Sequence, residues 1–159
     1  MIAAFSGHRE ILSIDTDKLR LAIRQLYSEG YRTFMSGMAE GFDLLAAEVV
    51  LELKEELEDI RLRCVIPFEG HIAKVGAKNR ARYQAVCAAA NEVVTLADAY
   101  HERAYFVRND YLVDNAEALI CYYSGKRRSG TGYTVMRAIK KCLTIVNIYA
   151  DGVQIEFFG

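Results

Sequence analysis

The chain has one proline, no tryptophan and only four cysteines in 159 residues. With a single proline and no low-complexity stretch there is no visible linker, and one domain (residues 1–159) with a sizeable core is expected. Cys64, Cys87, Cys121 and Cys142 stand far apart in apolar or helical settings, without a CxxC. His8, His71 and His101 share no ligand spacing with them, so buried free thiols are expected, and no metal. An excess of charge of either sign is also missing: 20 Lys and Arg oppose 21 Asp and Glu. That balance gives nucleic-acid binding no bulk electrostatic support, and nucleic acid is not an expected partner. No apolar run approaches the roughly 20 residues that span a bilayer. Gly7, His8 and Arg9 interrupt the first apolar segment before a signal-like stretch can form. A cytoplasmic protein without a membrane partner is the expectation.

What is present is a repeated grammar of apolar strand, glycine-bearing loop and amphipathic helix. Its clearest instance is YRTFMSGMAEGFDLLAAEVVLELKEEL, residues 31–57. A short strand (31–35) leads through a loop with two glycines (36–42) into a helix. Phe42, Leu45, Ala46, Val49, Val50, Leu53 and Leu57 mark one buried face of that helix. Such a junction leaves N–H groups free at the helix start, where an anion can bind. Gly37 and Gly41 permit close backbone approach or a positive φ there.

The rest of the chain follows suit. Residues 1–6 read as a strand buried on both faces. Asp15 or Thr16 can cap a helix whose face is Leu19, Ala22, Ile23, Leu26 and Tyr27, with Gly30 as its stop. A strand at 62–67 and a loop at 68–75 precede a helix at about 76–90, with Tyr83, Val86, Cys87 and Ala90 inward. Residues 92–96 form a strand, and a helix to about 114 follows the loop 97–102. Its Tyr105, Asn109, Leu112 and Val113 share helical spacing. A strand at 118–123, a basic glycine loop SGKRRSGTG at 124–132, a helix at 133–142 and a strand at 143–148 complete the pattern. An edge strand at 153–158 is a further possibility. Alternation of this kind predicts an α/β fold: a Rossmann-like three-layer sandwich, its mostly parallel sheet covered by helices on both faces. Ligands of such sheets sit beyond the carboxyl ends of the strands. That rule gathers 7–9, 36–43, 69–71 and 124–132 on one rim.

The chemistry lies in those loops. Gly130 and Gly132 precede a helix whose amides and dipole can hold a phosphate, with hydroxyls from Ser129, Thr131 and Thr134 and charge from Lys126, Arg127 and Arg128. The spacing matches neither GxxxxGK[ST] nor GxGxxG, which weakens standard ATPase and dehydrogenase readings. Arg9, just past a strand and beside Gly7, can pair with phosphate or carboxylate. His8 can serve as acid or base near neutrality. Asp43, in its helix's first turn, can complement the dipole or accept from a ribose hydroxyl. Glu48 reads as structural, the run 52–59 as a solvated face, Arg108 and Asn109 as mid-helix solvated residues, and His71 and His101 as exposed loop residues.

Taken together, Gly7-His8-Arg9, SGMAEGFDLLAAE (36–48), VIPFEG (65–70), RNDYLVDNAEALI (108–120) and SGTGYT (129–134) resemble the YpsA-like branch of the SLOG superfamily. This is the Rossmann-like group that includes the LOG phosphoribohydrolases and the DprA/Smf proteins, and the resemblance spans nearly the whole chain. It implies a nucleotide or a nucleotide-derived, NAD- or ADP-ribose-like ligand in a glycine-lined cleft, held as by a sensor, with no cofactor. The implied ligand-binding residues are Gly7, His8, Arg9, Gly37, Gly41, Asp43, Ser129, Gly130, Thr131 and Gly132. LOG enzymes resemble this chain in an Arg-bearing helix followed by a strand and a GGxGTxxE loop-helix, and they cleave N-glycosidic bonds with that Arg and Glu. Arg108 falls on the Arg position, but Met136 replaces the Glu and Tyr133 the Thr. A thioether can neither activate water nor stabilise an oxocarbenium ion. The alternative activity, a nucleotide N-glycosidase or deoxyribosyltransferase, therefore needs Asp43, Glu40 or Glu69 to act, with Arg108. Pairing of exposed faces would make a homodimer.

Overall fold

The computed structural model describes residues 1–150, so the edge strand expected at 153–158 lies outside the described residues. Six parallel strands form one sheet in the order β4-β3-β2-β1-β5-β6. They are β1 (Ile2–Gly7), β2 (Thr33–Ser36), β3 (Arg61–Ile66), β4 (Glu92–Thr95), β5 (Ala118–Tyr122) and β6 (Thr144–Asn147). The connecting helices are α1 (Thr16–Ser28), α2 (Phe42–Leu53), α3 (Ala77–Ala89), α4 (Ala104–Asp114) and α5 (Gly130–Lys140). The expected alternation and parallel sheet are therefore present. The chain steps outward from β1 to β4, then returns to place β5 on the other side of β1. This reversal puts a topological switch point between β1 and β5.

Two cores follow from the strand period of two. Ala3 and Phe5 of β1, Phe34 of β2, Leu62 and Cys64 of β3 and Ala118 and Ile120 of β5 join the apolar faces of α1, α2 and α3. Ala4, Met35, Val65, Leu119 and Cys121, one residue out of phase, join Leu112 and Val113 of α4 and Val135 and Ala138 of α5. Asp15 caps α1 by accepting from the amides of Asp17 and Lys18. Gly30 follows the helix at a φ of +104°, the left-handed stop that its position required. The acidic run at the end of α2 and beyond it (52–59) is solvated as expected. Glu52, Glu56 and Asp59 there pair with Arg20, Arg24 and Arg32, exposed pairs that add little each. Glu48 ties α2 to α3 through Arg82, in keeping with its structural reading.

Several local expectations are corrected. Helix α5 begins at Gly130 rather than 133, because Ser129 caps it by accepting from the Gly132 amide at 2.9 Å. Gly130 and Gly132 thus belong to its first turn. Arg108 and Asn109 are buried rather than solvated, and His71 is buried in a 3₁₀ turn (His71–Lys74) rather than exposed. The thiols are free but not uniformly hidden: Cys64 and Cys121 are buried, Cys87 is half-buried and Cys142 is exposed.

Candidate functional site

A cavity of about 450 Å³ opens beyond the carboxyl ends of β1, β2, β3 and β5. Its volume falls within the range of small-molecule sites. Of the residues singled out from sequence, Gly7, His8, Arg9, Glu40, Asp43, Arg108, Ser129, Gly130 and Thr131 line it. Gly37, Gly41 and Gly132 do not; they shape the wall from behind. A Cβ on Gly37 would lie 2.6 Å from Arg108 Cδ, and one on Gly132 would lie 2.5 Å from the Arg127 carbonyl oxygen. Gly41, at a φ of +86°, would place a Cβ 2.3 Å from the Arg9 carbonyl oxygen. Glu69 is exposed and lines a separate groove. Met136 is half-exposed on α5, outside the cavity lining.

The loop after β2 is held from within. Ser36 donates its hydroxyl to the Asp43 carbonyl at 2.7 Å and accepts from the Met38 amide at 3.2 Å. Met38 is buried with a φ of +62°, a left-handed conformation that a non-glycine residue adopts at a cost of about 1–3 kcal/mol. This tight turn carries Asp43 into the first turn of α2, facing the cavity. Asp43 is 6% exposed, and its Oδ1 has no hydrogen-bond partner among the described residues. Burial pushes its carboxyl up to about 6, against the pull of Arg108 and of the nearby Gly7 and Ala39 amides.

Arg108 crosses from α4. Its Nη1 donates to the Gly37 carbonyl at 2.6 Å and its Nε to Asn109 Oδ1 at 2.9 Å. Its guanidinium carbon lies 5.6 Å from the Tyr105 ring centroid. Burial lowers its pKa while Asp43 raises it, yet the pair does not close into a salt bridge within 4.0 Å. A buried carboxylate and a buried guanidinium thus attract each other in the lining of one cavity without pairing.

The remaining wall divides into structural and available groups. His8 Nε2 accepts from the Ser124 amide at 3.0 Å and sits 3.0 Å from the Ser124 hydroxyl. This contact latches β1 to the loop after β5 at the switch point. An Nε2 that accepts is unprotonated, and burial together with Lys126 lowers the His8 pKa accordingly. Ser129 is committed to its cap and donates to the Lys126 carbonyl at 2.7 Å. Glu40 receives the Gly76 amide at 2.6 Å and Asn79 Nδ2 at 3.0 Å, tying the cavity wall to the start of α3 and lowering its own pKa. The amides of Gly130 and Thr131 belong to the first turn of α5, where no intrahelical acceptor exists for them. Arg9, Lys74, Arg108 and Lys126 bring four positive charges to the lining against the two carboxylates of Glu40 and Asp43. His71 was placed on the rim by the strand-end rule but read as exposed, while Lys74 and Tyr105 were not singled out from sequence as site residues. The packing of the 3₁₀ turn against α4 brings these last two to the cavity, and no local signal announces that.

His71 lines both this cavity and the adjoining groove. Its Nδ1 lies 3.0 Å from the Tyr83 hydroxyl, and its ring meets those of Phe68, Tyr83 and Tyr105. Burial, with Arg108 and Arg9 adding to it, pushes its pKa down to about 4, so the ring is neutral at pH 7.

The fold and the switch-point cleft define a Rossmann-like α/β protein. The family model YpsA, described as the YspA SLOG family, matches residues 2–150, and the chain belongs to that family. A UPF0398 protein of Staphylococcus epidermidis is 26% identical over 113 residues, covering 70% of this chain and 60% of the relative. One from Bacillus cereus is 26% identical over 136 residues, 84% of this chain and 67% of the relative. The chain thus spans about 60% of the length of the staphylococcal relative. Among solved structures, DNA processing protein A from Helicobacter pylori, described with a single-stranded DNA binding mode, superposes with a TM-score of 0.65 at 18% identity. It is matched over 91% of this chain and 63% of its own. TM1055, a structural-genomics protein, gives 0.58 at 16% identity over 95% of this chain and 75% of its own. At these identities the likeness is one of fold. No helix among the described residues is long and apolar enough to cross a membrane.

Proposed function

We propose that the cleft binds a nucleotide or a nucleotide-derived ligand of the ADP-ribose type and that the protein acts as a sensor of it. The observation that carries this reading is the buried carboxyl of Asp43, its Oδ1 without a hydrogen-bond partner among the described residues, in the lining of a cavity that also holds Arg108. An orphaned buried acceptor costs free energy until a donor reaches it, and a ribose hydroxyl is such a donor. Three chemistries line the cavity. The first-turn amides of α5, with Thr131, Arg9 and Lys126, suit a phosphate; Asp43 suits sugar hydroxyls; Tyr105 and His71 offer ring faces to a base. Gly7 leaves room for the Phe42 ring, 2.4 Å from where a Cβ would lie, and so shapes the wall from within, while the excess of cations favours an anion.

One feature favours a second reading, N-glycosidic hydrolysis. A carboxyl whose pKa stands at about 6 in a cleft is suited to proton transfer at neutral pH. In that reading Asp43 is the acid or base and Arg108 steadies developing charge.

A thermal-shift screen with AMP, ATP, NAD, ADP-ribose and an oligothymidylate tests both, each mixture being assayed afterwards for free base. A ligand at 100 times its Kd adds about 2.7 kcal/mol, a visible shift. Stabilisation by a nucleotide without base release supports the sensor, and base release supports the hydrolase. Stabilisation by the oligonucleotide alone, lost on adding salt, would replace both with single-strand binding.

A further inference from the structure

A second group of reactive side chains lies on the other side of His71. Cys64, in the middle of β3, is fully buried in the core shared by α1, α2 and α3, in register with Ser36 and Val93 on the neighbouring strands. Cys87, in the last turn of α3, packs against that same core and is half-buried. It lines a groove of about 340 Å³ with Phe68, His71, Tyr83 and Val93. Val93 bridges the two: it pairs with Cys64 in the β3–β4 register and lines the groove with Cys87, and each thiol shifts the other's titration. Cys121 sits in the opposite core and Cys142 on the surface, so no other two cysteines are placed this way.

We propose that Cys64 and Cys87 are a redox-active dithiol, in which Cys87 reacts through the groove with a small hydroperoxide and Cys64 resolves the product to an intramolecular disulfide.

The division of roles follows from access: Cys87 opens to the groove, whereas Cys64 is fully buried. The Cys87 thiol beside it, and then burial, hold Cys64 protonated, and the Cys64 thiol in turn lowers the Cys87 pKa. An accessible thiol beside a buried resolving partner is the arrangement that oxidant-sensitive cysteines require. In the first step the Cys87 thiolate attacks one peroxide oxygen: an S–O bond forms, the O–O bond breaks, and the departing oxygen takes a proton and leaves as alcohol or water. Cys87 is oxidised to the sulfenic acid and the peroxide is reduced. The Cys64 sulfur then gives up its proton and attacks the Cys87 sulfur, forming S–S, breaking S–O and releasing water. Two thiols and one hydroperoxide thus give one disulfide, one alcohol and one water.

The crosslink would tie β3 to α3 across the segment that carries His71. Tyr83, one helical turn before Cys87, lies hydrogen-bonded to His71, which lines both cavities. The staple therefore fixes a wall that the groove shares with the nucleotide cleft.

The test uses the full chain with Cys142→Ser, which removes the exposed thiol. After treatment with stoichiometric hydrogen peroxide the protein is unfolded, alkylated and mapped by mass spectrometry. Loss of two alkylatable thiols, a linked peptide pair containing Cys64 and Cys87, and recovery of both thiols with dithiothreitol are expected. Cys87→Ser in the same background should abolish the link. The peptide map of the chain that keeps both cysteines decides the matter even if that variant folds poorly. Full alkylation of Cys64 and Cys87, sulfinic acid on Cys87 without a link, or links only between chains would overturn the proposal.

Discussion

Arg108 donates through Nη1 to the carbonyl oxygen of Gly37 at 2.6 Å, joining α4 to the loop after β2 across 71 residues of sequence. The missing side chain of Gly37 is what gives the buried arginine its path, since a Cβ there would lie 2.6 Å from Arg108 Cδ. The contact fixes the only buried guanidinium among the described residues at the cavity that Asp43 also faces. Most of what is expected of the site depends on this arrangement.

Gly37→Ala should therefore displace Arg108, with a loss of about 1–3 kcal/mol of stability, the usual cost of overpacking. Ligand affinity should fall at least tenfold. Gly70→Ala is the control: its added Cβ meets nothing within 4 Å, though the φ of +85° is unfavourable for alanine. That variant should lose about 1–2 kcal/mol from backbone strain alone and keep its affinity. Chemical denaturation followed by circular dichroism, with calorimetric titration, separates the two effects.

Asp43 makes the stability pH-dependent in an unusual sense. Its folded-state pKa of about 6 stands above the ordinary 3.8, so between these values the folded protein holds more protons than the unfolded chain. The contribution is favourable at low pH and is lost as pH rises through about 6. Asp43→Asn lacks this titration. Its advantage over the parent protein should grow from near zero at about pH 4 to roughly 3 kcal/mol above about pH 7. Denaturation curves of both proteins across that range check the slope, and a constant difference would show that Asp43 titrates normally.

His71 acts in the opposite direction. Its folded pKa of about 4 lies below the ordinary 6.5, so in this window the unfolded chain binds the extra proton. Stability falls as pH is lowered from about 6.5 to about 4. His71→Phe should flatten that acid limb, whatever constant offset the lost Tyr83 contact adds. The same denaturation series measures it.

Arg108→Met keeps much of the volume and removes the charge. Without the cation that favours its ionised form, the Asp43 carboxyl should titrate above about 6, visible by carboxyl-carbon NMR. Nucleotide affinity should drop more than tenfold as the anion loses its buried partner.

Much of this was legible in the residues. The alternation of strands and helices, the Asp15 cap, the Gly30 stop and the rim of four loops all rest on local patterns, and the structure reproduces them. Arg108 was not legible as a buried residue. A mid-helix arginine is usually solvated, and its burial here is offset by a carbonyl and a missing Cβ that belong to Gly37, far away in sequence. The place of His71 on the rim was legible but its burial was not, for the same reason: its partners Tyr83 and Tyr105 lie on two different helices. The start of α5 was placed late because glycines disfavour helix, whereas the Ser129 cap and the packing of Thr131, Gly132 and Thr134 hold them in the first turn. Gly41 takes the positive φ that its place in the loop suggested, whereas Gly7, Gly37 and Gly132, read as points of ligand approach, make room for Phe42, Arg108 and the Arg127 carbonyl.

The most direct test of the central claim is a calorimetric titration of ADP-ribose and of AMP into the parent protein and into Asp43→Asn at pH 7.5. Saturable binding of one ligand per chain to the parent protein, weakened at least tenfold in a variant that is as stable or more so, is the expected result. Equal affinity in the two proteins would remove Asp43 from the site, and no heat with either ligand would contradict the nucleotide reading of the cleft.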